Sequence, residues 1–288
     1  MRKKISIYKI INIIFLLWAF ISLANIFISK FYCISTYFNQ NIILIALIFL
    51  LFFLIIHSIK LFRFYLIFLG ENIKLNRFVR VYIKTTFVNI LLPFKIGELF
   101  RFYIYNKETG NYRIGILGIL LERFFDTLGL IVLLIPIEFY TNHKLSVSTI
   151  ILIAFIIILS YIFVTFNGFY DYINRFFIFR VSGKKSIRYL RILESLFEWY
   201  QYIKSLISKR VIFIFSLSLI AWSIELLMFY FISVLLHINF ALDTFSRYLN
   251  TALIGGNNTL LIMYRIGAST LFILILLLIY LPKEKRKA

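Results

Sequence analysis

The chain has 288 residues, of which 62% are hydrophobic and 15% are charged, and its formal net charge is +20. Soluble domains have about 45–50% apolar and about 25% charged residues, so the composition excludes an ordinary soluble protein. Apolar runs of about 20 residues recur along the chain, which predicts an all-α, polytopic membrane helix bundle with about six spans.

The basic residues are distributed as in a membrane protein. Only Lys30, Lys144 and Arg247 fall in predicted outer loops, whereas most other Lys and Arg residues fall in segments predicted to face the cytoplasm. This bias predicts a multi-pass plasma-membrane protein with both termini in the cytoplasm. It favours anionic lipid headgroups as partners and argues against nucleic acid. One cysteine and three scattered histidines form no ligand set, so we expect no metal ion and no other cofactor.

Two long apolar runs open the chain. The first predicted span, Ile5 to Ile28, follows the basic sequence M-R-K-K and is too long for a signal peptide. The second span runs from about Asn41 to Ile59. From Lys60 to Lys84, basic residues alternate with aromatic and aliphatic ones, which favours an interfacial segment lying under anionic lipid.

A break in the apolar pattern follows, in the sequence N-I-L-L-P-F-K-I-G-E-L-F-R that begins at Asn89. Pro93 removes a backbone donor and breaks a helix, and Gly97 permits an unusual turn. Two half-length apolar pieces surround this break, which predicts a re-entrant hairpin over about 87–105 that enters and leaves on the cytoplasmic side. A short amphipathic surface helix is the alternative interpretation.

The third predicted span, Ile114 to Ile135, combines glycines and carboxylates, and Pro136 is predicted to end it. At 100° per residue, five of its residues fall within an arc of roughly 80°. They are Gly115, Gly118, Glu122, Asp126 and Gly129, with Arg123 at one edge. Glycines permit close helix approach, so we expect this face to pack inside the protein and to carry a site. A structural ion pair is the alternative, and it is compatible with a site.

Two further spans and an amphipathic segment follow. The fourth span, Val147 to Phe166, has no ionisable residue and is interpreted as structural. An amphipathic helix over about 187–208 is predicted to lie in the cytoplasmic interface, and a calmodulin-type target is the weaker alternative. The fifth span, Val211 to Leu236, contains Glu225 near its middle.

A second break, over about 248–262, contains Gly255 and Gly256. The last span, about 260–281, carries Arg265 near its outer end. The first break would enter the membrane from the cytoplasm and the second from outside, which suggests the inverted repeat that transporters use to build a midplane site. The whole chain, 1–288, is interpreted as one integral membrane domain.

The two charged motifs, in this order, resemble those of the flippase-like transmembrane family that occurs fused to lysylphosphatidylglycerol synthases and also as stand-alone proteins. The family pattern is L-P-x-(R/K)-x-G-E-x-x-R, followed on the next helix by E-R-x-x-D. The first motif is matched by Pro93, Lys95, Gly97, Glu98 and Arg101, and the second by Glu122, Arg123 and Asp126. A related C-terminal motif of the family is matched by two glycines and by Tyr264-Arg265, but its proline is missing here.

The resemblance implies a bundle with re-entrant segments that carries lipid from the inner to the outer leaflet. We expect a stand-alone transmembrane domain without a synthase domain, hence a transporter and not an enzyme. Its cargo would be an anionic phospholipid, an aminoacylated phospholipid or a polyprenyl-phosphate-linked lipid that another enzyme makes.

The hypothesis for the substrate site assigns the cations to a lipid phosphate and the carboxylates to holding those cations. The cations are Lys95, Arg101, Arg123 and, from the far side, Arg265; the carboxylates are Glu98, Glu122 and Asp126. The residues assigned to the structural motif are Asn89, Pro93, Gly97, Gly255 and Gly256. Two other functions remain open: a non-transporting partner of a lipid or glycan biosynthetic enzyme, and a membrane-embedded transferase with Glu122 or Asp126 as the base.

Overall fold

A computed structural model describes residues 7–35, 42–69, 71, 73–92, 96–180, 184–235 and 259–280. In these ranges the chain is all-α, as the sequence predicts. The helices are α1 (Ile7–Ser35), α2 (Ile42–Ile67), α3 (Leu75–Leu91), α4 (Ile96–Thr109), α5 (Tyr112–Asn142), α6 (Val147–Arg180), α7 (Lys184–Ile207), α8 (Val211–Leu235) and α9 (Thr259–Tyr280).

Five helices are long and apolar enough to cross a membrane: α1, α2, α6, α8 and α9. Helix α5 has 31 residues, which corresponds to about 46 Å and is also long enough to span a bilayer. It differs from the other five because three charged residues, Glu122, Arg123 and Asp126, lie close together within its apolar sequence. The molecule is therefore a polytopic helical membrane protein.

Helices α3 and α4 form an antiparallel hairpin. Asn89 Nδ2 donates to Glu98 Oε1 at 2.8 Å, Arg101 Nη2 donates to Thr86 Oγ1 at 3.1 Å, and Arg77 pairs with Glu108 near the open end. From Asn89 back to Arg77 on α3, the partner on α4 advances from Glu98 to Glu108, so the two helices run in opposite directions. The turn of the hairpin therefore lies next to Asn89 and Glu98.

Helix α1 runs alongside this hairpin. The ring of Tyr8 stacks on Tyr103 near the open end, with ring centres 5.8 Å apart, and Phe20 packs against Phe87 near the turn, at 5.5 Å. Twelve residues separate Tyr8 from Phe20, which is about 18 Å of helix, and the apolar stretch of α1 extends from Tyr8 to Ser29. The hairpin thus turns back about half-way along a membrane-spanning helix, which is the geometry that a re-entrant segment requires.

Helix α5 packs closely through the glycines of its predicted inner face. A Cβ atom on Gly118 would lie 2.3 Å from the ring of Phe68 at the end of α2. A Cβ atom on Gly129 would lie 2.8 Å from Ser218 Cβ on α8. At Gly129 only glycine lets α5 and α8 approach as they do, and at Gly118 the missing side chain leaves room for the Phe68 ring.

Several helix ends differ from the sequence prediction. Helix α1 continues beyond Ile28 to Ser35, and it therefore includes Lys30, which was predicted in an outer loop. Helix α6 continues beyond Phe166 to Arg180.

Pro136 lies inside α5, which continues to Asn142, so the prediction that it ends the span is wrong. Proline interrupts a membrane helix only locally when neighbouring groups compensate for its missing donor. Helix α2 continues beyond Ile59 to Ile67, and it therefore includes Lys60 and Arg63.

Helix α7 occupies the segment in which the sequence predicts an amphipathic helix, and much of its aromatic face lies against α6. The rings of Phe197 and Tyr170 stack with centres 4.1 Å apart, and those of Tyr189 and Phe177 stack at 5.5 Å. On another side, the Tyr202 hydroxyl donates to the Glu71 carboxylate. Burial and this carboxylate raise the pKa of Tyr202, so the hydroxyl remains protonated as the donor.

Replacing Gly97 by alanine tests the hairpin. The added Cβ atom would lie 2.3 Å from Asn89 Cα, a backbone atom that cannot move aside alone. Overpacking of this kind costs about 1–3 kcal/mol, so Gly97→Ala should lower the midpoint of thermal unfolding in detergent. Gly168→Ala on α6 is the control, because no atom lies within 4 Å of its Cβ position. Equal unfolding midpoints for Gly97→Ala and the unmodified protein would contradict this packing.

Candidate functional site

Glu122 binds three arginines from three helices. Arg63 Nη2 on α2 lies 2.8 Å from Glu122 Oε1, and Arg101 Nη1 on α4 lies 3.1 Å from Glu122 Oε2. Arg123, the next residue on α5, places Nε 3.3 Å from the same Oε2. The Arg63 side chain is 0% exposed, that of Arg101 2% and that of Glu122 5%. One carboxylate therefore joins α2, α4 and α5 inside the bundle.

Asp126, one turn along α5, extends these contacts to α8. Arg63 Nη1 lies 2.7 Å from Asp126 Oδ1 and donates to Ser218 Oγ at 2.8 Å. The indole N–H of Trp222 donates to the backbone carbonyl of Asp126 at 3.1 Å. Arg63 thus uses its planar guanidinium to bind two carboxylates and a hydroxyl from two helices, which a lysine ammonium could not reproduce with the same geometry.

Glu98 connects the hairpin to α5. Its Oε1 atom lies 2.6 Å from Arg123 Nη2 in an ion pair and accepts a hydrogen bond from Asn89 Nδ2 at 2.8 Å. Its Oε2 atom lies 3.9 Å from Arg101 Nη1. Glu98 is in the first turn of α4, where a negative charge interacts favourably with the helix dipole. The hairpin turn therefore brings a carboxylate to the cations of the bundle.

A further ion pair lies about one turn before Arg63 on α2. Lys60 Nζ is 2.8 Å from Glu225 Oε2 on α8, and it lies 4.8 Å from the ring centre of Trp222. Together with the contacts above, it completes a set that we call the ion cluster. Its members are the cations Lys60, Arg63, Arg101 and Arg123 and the carboxylates Glu98, Glu122, Asp126 and Glu225. With all eight ionised, the formal charges balance.

Access to the cluster is uneven. The Arg101 guanidinium is covered by the ring of Phe64 at 5.1 Å and by that of Tyr82 at 5.8 Å. In contrast, the Arg123 side chain is 38% exposed, the highest value in the cluster, and Glu98 follows with 20%. An incoming anion would therefore meet Arg123 before any other cation of the cluster. In the described ranges no three His, Cys, Asp or Glu side chains lie close enough to hold a metal ion.

The structure brings five of the seven predicted substrate residues into contact. They are Glu98, Arg101, Glu122, Arg123 and Asp126. Asn89 and Gly97, assigned to the structural motif, both lie at the hairpin turn. The remaining motif positions, Pro93, Lys95, Gly255 and Gly256, lie outside the described residues.

Arg265 is the sixth described substrate residue, and it lies on α9. Its side chain is half-buried. Its neighbour Tyr264 places its hydroxyl 3.4 Å from His57 Nε2 on α2. Arg265 thus remains a predicted contact on a helix that packs against α3, α1 and α2.

Sequence reasoning missed the role of Lys60 and Arg63. Both were assigned to an interfacial segment, and that prediction is wrong because they point into the bundle and pair with carboxylates. A signal for them exists in the sequence. Glu225 lies near the middle of an apolar span, and a carboxylate there requires a buried cation. The sequence H-S-I-K-L-F-R at the end of the second apolar run supplies two cations, Lys60 and Arg63, one turn apart.

Comparison with known proteins identifies the family of the chain. The family described as the lysylphosphatidylglycerol synthase TM region matches residues 5–284. The chain belongs to this family. A UPF0104 membrane protein of Methanocaldococcus jannaschii is 27% identical over 157 residues, a match that covers 53% of this chain and 63% of the archaeal protein. No solved structure matches the sequence. The resemblance expected from the two motifs is thereby confirmed, and it places the chain in a membrane family related to lipid biosynthesis and translocation.

Replacing Arg63 by methionine tests the cluster. The change would leave Glu122 and Asp126 without their most buried cation, and breaking a buried pair by removing one partner costs about 3–5 kcal/mol. We expect Arg63→Met to unfold at a clearly lower temperature in detergent. Arg113→Met is the control, because Arg113 pairs with Glu198 where the two side chains are 34% and 55% exposed. Such a pair contributes only about 0.2–1 kcal/mol. Equal stability of the two variants would contradict the cluster.

Proposed function

We propose that this protein translocates a lipid across the plasma membrane, with the ion cluster as the site that binds the lipid phosphate. The observation that carries the proposal is a charge-balanced cluster inside a membrane-spanning bundle that is open at Arg123. Ionisable residues inside a membrane are costly and generally mark a substrate or ion pathway. Membership in a family related to lipid biosynthesis and translocation supports the same conclusion.

The geometry around Arg123 suits exchange of one anion for another. Its shortest ion pair is with Glu98 at 2.6 Å, and its pairs with Glu122 and Asp126 are longer, at 3.3 and 3.8 Å. A phosphate offers acceptor oxygens that an arginine binds in bidentate geometry. A lipid phosphate could therefore replace Glu98 on Arg123 while the buried arginines keep their own carboxylates.

The same cluster offers acceptors to a cationic headgroup. Glu98 is 20% exposed and Asp126 is 16% exposed, so both are accessible beside Arg123. An aminoacylated phospholipid carries a phosphate and an ammonium group, and both find complementary charges here. We propose an aminoacylated phospholipid as the cargo. An anionic phospholipid and a polyprenyl-phosphate-linked lipid are the two alternative cargoes. Lys95 and Arg265 remain proposed contacts, and both termini are proposed to lie in the cytoplasm.

A second candidate function is that of a non-transporting partner of a lipid or glycan biosynthetic enzyme. The observation in its favour is that every cation of the cluster is already paired with a carboxylate, and that Arg63 and Arg101 are fully enclosed. A cluster of this kind also serves to hold helices together without any ligand.

Lipid movement in proteoliposomes separates these functions. The purified protein is reconstituted with a fluorescent anionic phospholipid, an aminoacylated phospholipid or a polyprenyl phosphate, and transfer between leaflets is measured. We expect faster transfer of one class with the unmodified protein. Arg123→Gln should lose most of that acceleration, because the accessible cation is gone. Arg113→Gln should retain it, because this residue pairs with Glu198 on α7, away from the cluster.

The variants are compared at equal reconstituted amounts and after a check that each is folded. Glu122→Gln serves as a second variant, since it weakens the hold on three arginines at once. Normal transfer by Arg123→Gln would overturn its assignment to the phosphate. Absence of transfer of any lipid by the folded, unmodified protein would overturn transport, and a co-purifying biosynthetic enzyme would then support the partner role.

A further inference from the structure

Lys84 lies on α3 on the side that faces α1, away from the ion cluster. Its Nζ atom donates to Asn12 Oδ1 on α1 at 2.6 Å, and it lies 5.8 Å from the ring centre of Phe100. Thr86, which contacts Arg101 of the cluster, is only two residues further along. Two residues turn a helix by about 200°, so Lys84 and Thr86 point to nearly opposite sides of α3.

Lys84 differs from Arg77 and Arg101, the two cations of the hairpin that pair with carboxylates. Arg77 pairs with Glu108, and Arg101 pairs with Glu122. The polar partner of Lys84 among the described residues is a neutral amide oxygen. Glu108 is already engaged about two turns closer to the open end of the hairpin. Glu108 is the described carboxylate whose charge acts on Lys84, but its ion pair is with Arg77, so the half-buried ammonium of Lys84 has no ion pair of its own in the part of the chain that the structure describes.

Other cations lead from the open end of the hairpin toward Lys84. Arg80 lies about one turn before Lys84 on the same side of α3, and its Nε atom donates to the backbone carbonyl of Asn76. On α4, the exposed Lys107 places its Nζ atom 3.0 Å from the ring centre of Tyr8 on α1. Glu108 is the carboxylate near them, and it is paired with Arg77. Among the described residues, the surface where α1 meets the open end of the hairpin therefore carries more positive than negative charge.

We propose that Lys84 and Asn12 form a second anion site, which binds the phosphate of an anionic phospholipid from the leaflet at the open end of the hairpin. A lysine binds phosphate as a point charge, and the Asn12 amide adds N–H donors beside it. Beside this pair, Phe15 on α1 stacks on Phe100 on α4 with ring centres 4.9 Å apart, so the lipid would lie against the outer surface of this contact. The site does not depend on transport by the ion cluster.

Native mass spectrometry of the full-length protein in detergent tests the site. The probe is dioleoyl phosphatidylglycerol, with dioleoyl phosphatidylcholine and inorganic phosphate as competitors. We expect Lys84→Gln to weaken one phosphatidylglycerol site by about tenfold or more, because a charged hydrogen bond is lost. Lys84→Arg should retain the site. The control is Lys204→Gln, which removes an exposed cation from α7 and should change nothing.

Asn12→Asp is the decisive variant. Its carboxylate would pair with Lys84 and exclude the lipid phosphate, while the contact between α1 and α3 would remain. We expect loss of the phosphatidylglycerol site with an unfolding temperature at least as high as that of the unmodified protein. This variant remains informative if Lys84→Gln fails to fold, because it keeps the lysine.

Two outcomes would overturn the proposal. One is phosphatidylglycerol binding by Asn12→Asp, or by folded Lys84→Gln, with the affinity of the unmodified protein. The other is equal displacement of the lipid by inorganic phosphate at a Lys84-dependent site, which would identify a free-anion site instead. Repeating the titration in an Arg123→Gln background separates this site from the ion cluster, since loss of the cluster's cation should leave the Lys84 site intact.

Discussion

The contact of Glu122 with three arginines is the interaction on which the rest of the structure depends. Arg63 and Arg101 are almost completely enclosed, so each would be a bare charge in an apolar interior without this carboxylate. Transfer of such a charge from water costs several kcal/mol even after relaxation. The positions of α2, α4 and α5 are therefore set together. Helix α8 joins them because Arg63 also donates to Ser218.

Close helix packing makes this arrangement possible. Arg63 contacts Asp126 on α5 and Ser218 on α8 through the same Nη1 atom, so these two helices must approach each other near the cluster. Gly129 meets Ser218 at that crossing, and a single added Cβ atom would be too near. Gly118 leaves room for the ring of Phe68, which follows the end of α2. The glycines and the carboxylates on one face of α5 thus serve one purpose: the glycines bring the partner helices close enough for the charges to pair.

The sequence predicted the inner face of α5 well, and the reason is physical. A regular helix converts spacing directly into direction, so Glu122 and Asp126 were bound to share a face with the glycines. The inward orientation of Lys60 and Arg63 was not predicted, because hydropathy assigns basic residues at the end of an apolar run to the membrane surface. Only their carboxylate partners on other helices show that they point into the bundle. Arg101 was predicted as a phosphate contact, but the structure encloses it. The exposed cation is instead Arg123, and burial of this kind depends on tertiary packing that spacing does not encode.

The two arginines beside Glu98 explain how an anion could enter the cluster without leaving a charge unpaired. If a phosphate took the place of Glu98 on Arg123, Glu98 would retain Asn89 at 2.8 Å and would have Arg101 within 3.9 Å. Arg101 itself would keep Glu122. Each step exchanges one pair for another, which avoids the large cost of an isolated buried charge. When the ligand leaves, Glu98 would return to Arg123 and restore the charge balance of the cluster. Because Asn89 and Glu98 lie at the hairpin turn, such an exchange would couple ligand binding to the position of the hairpin.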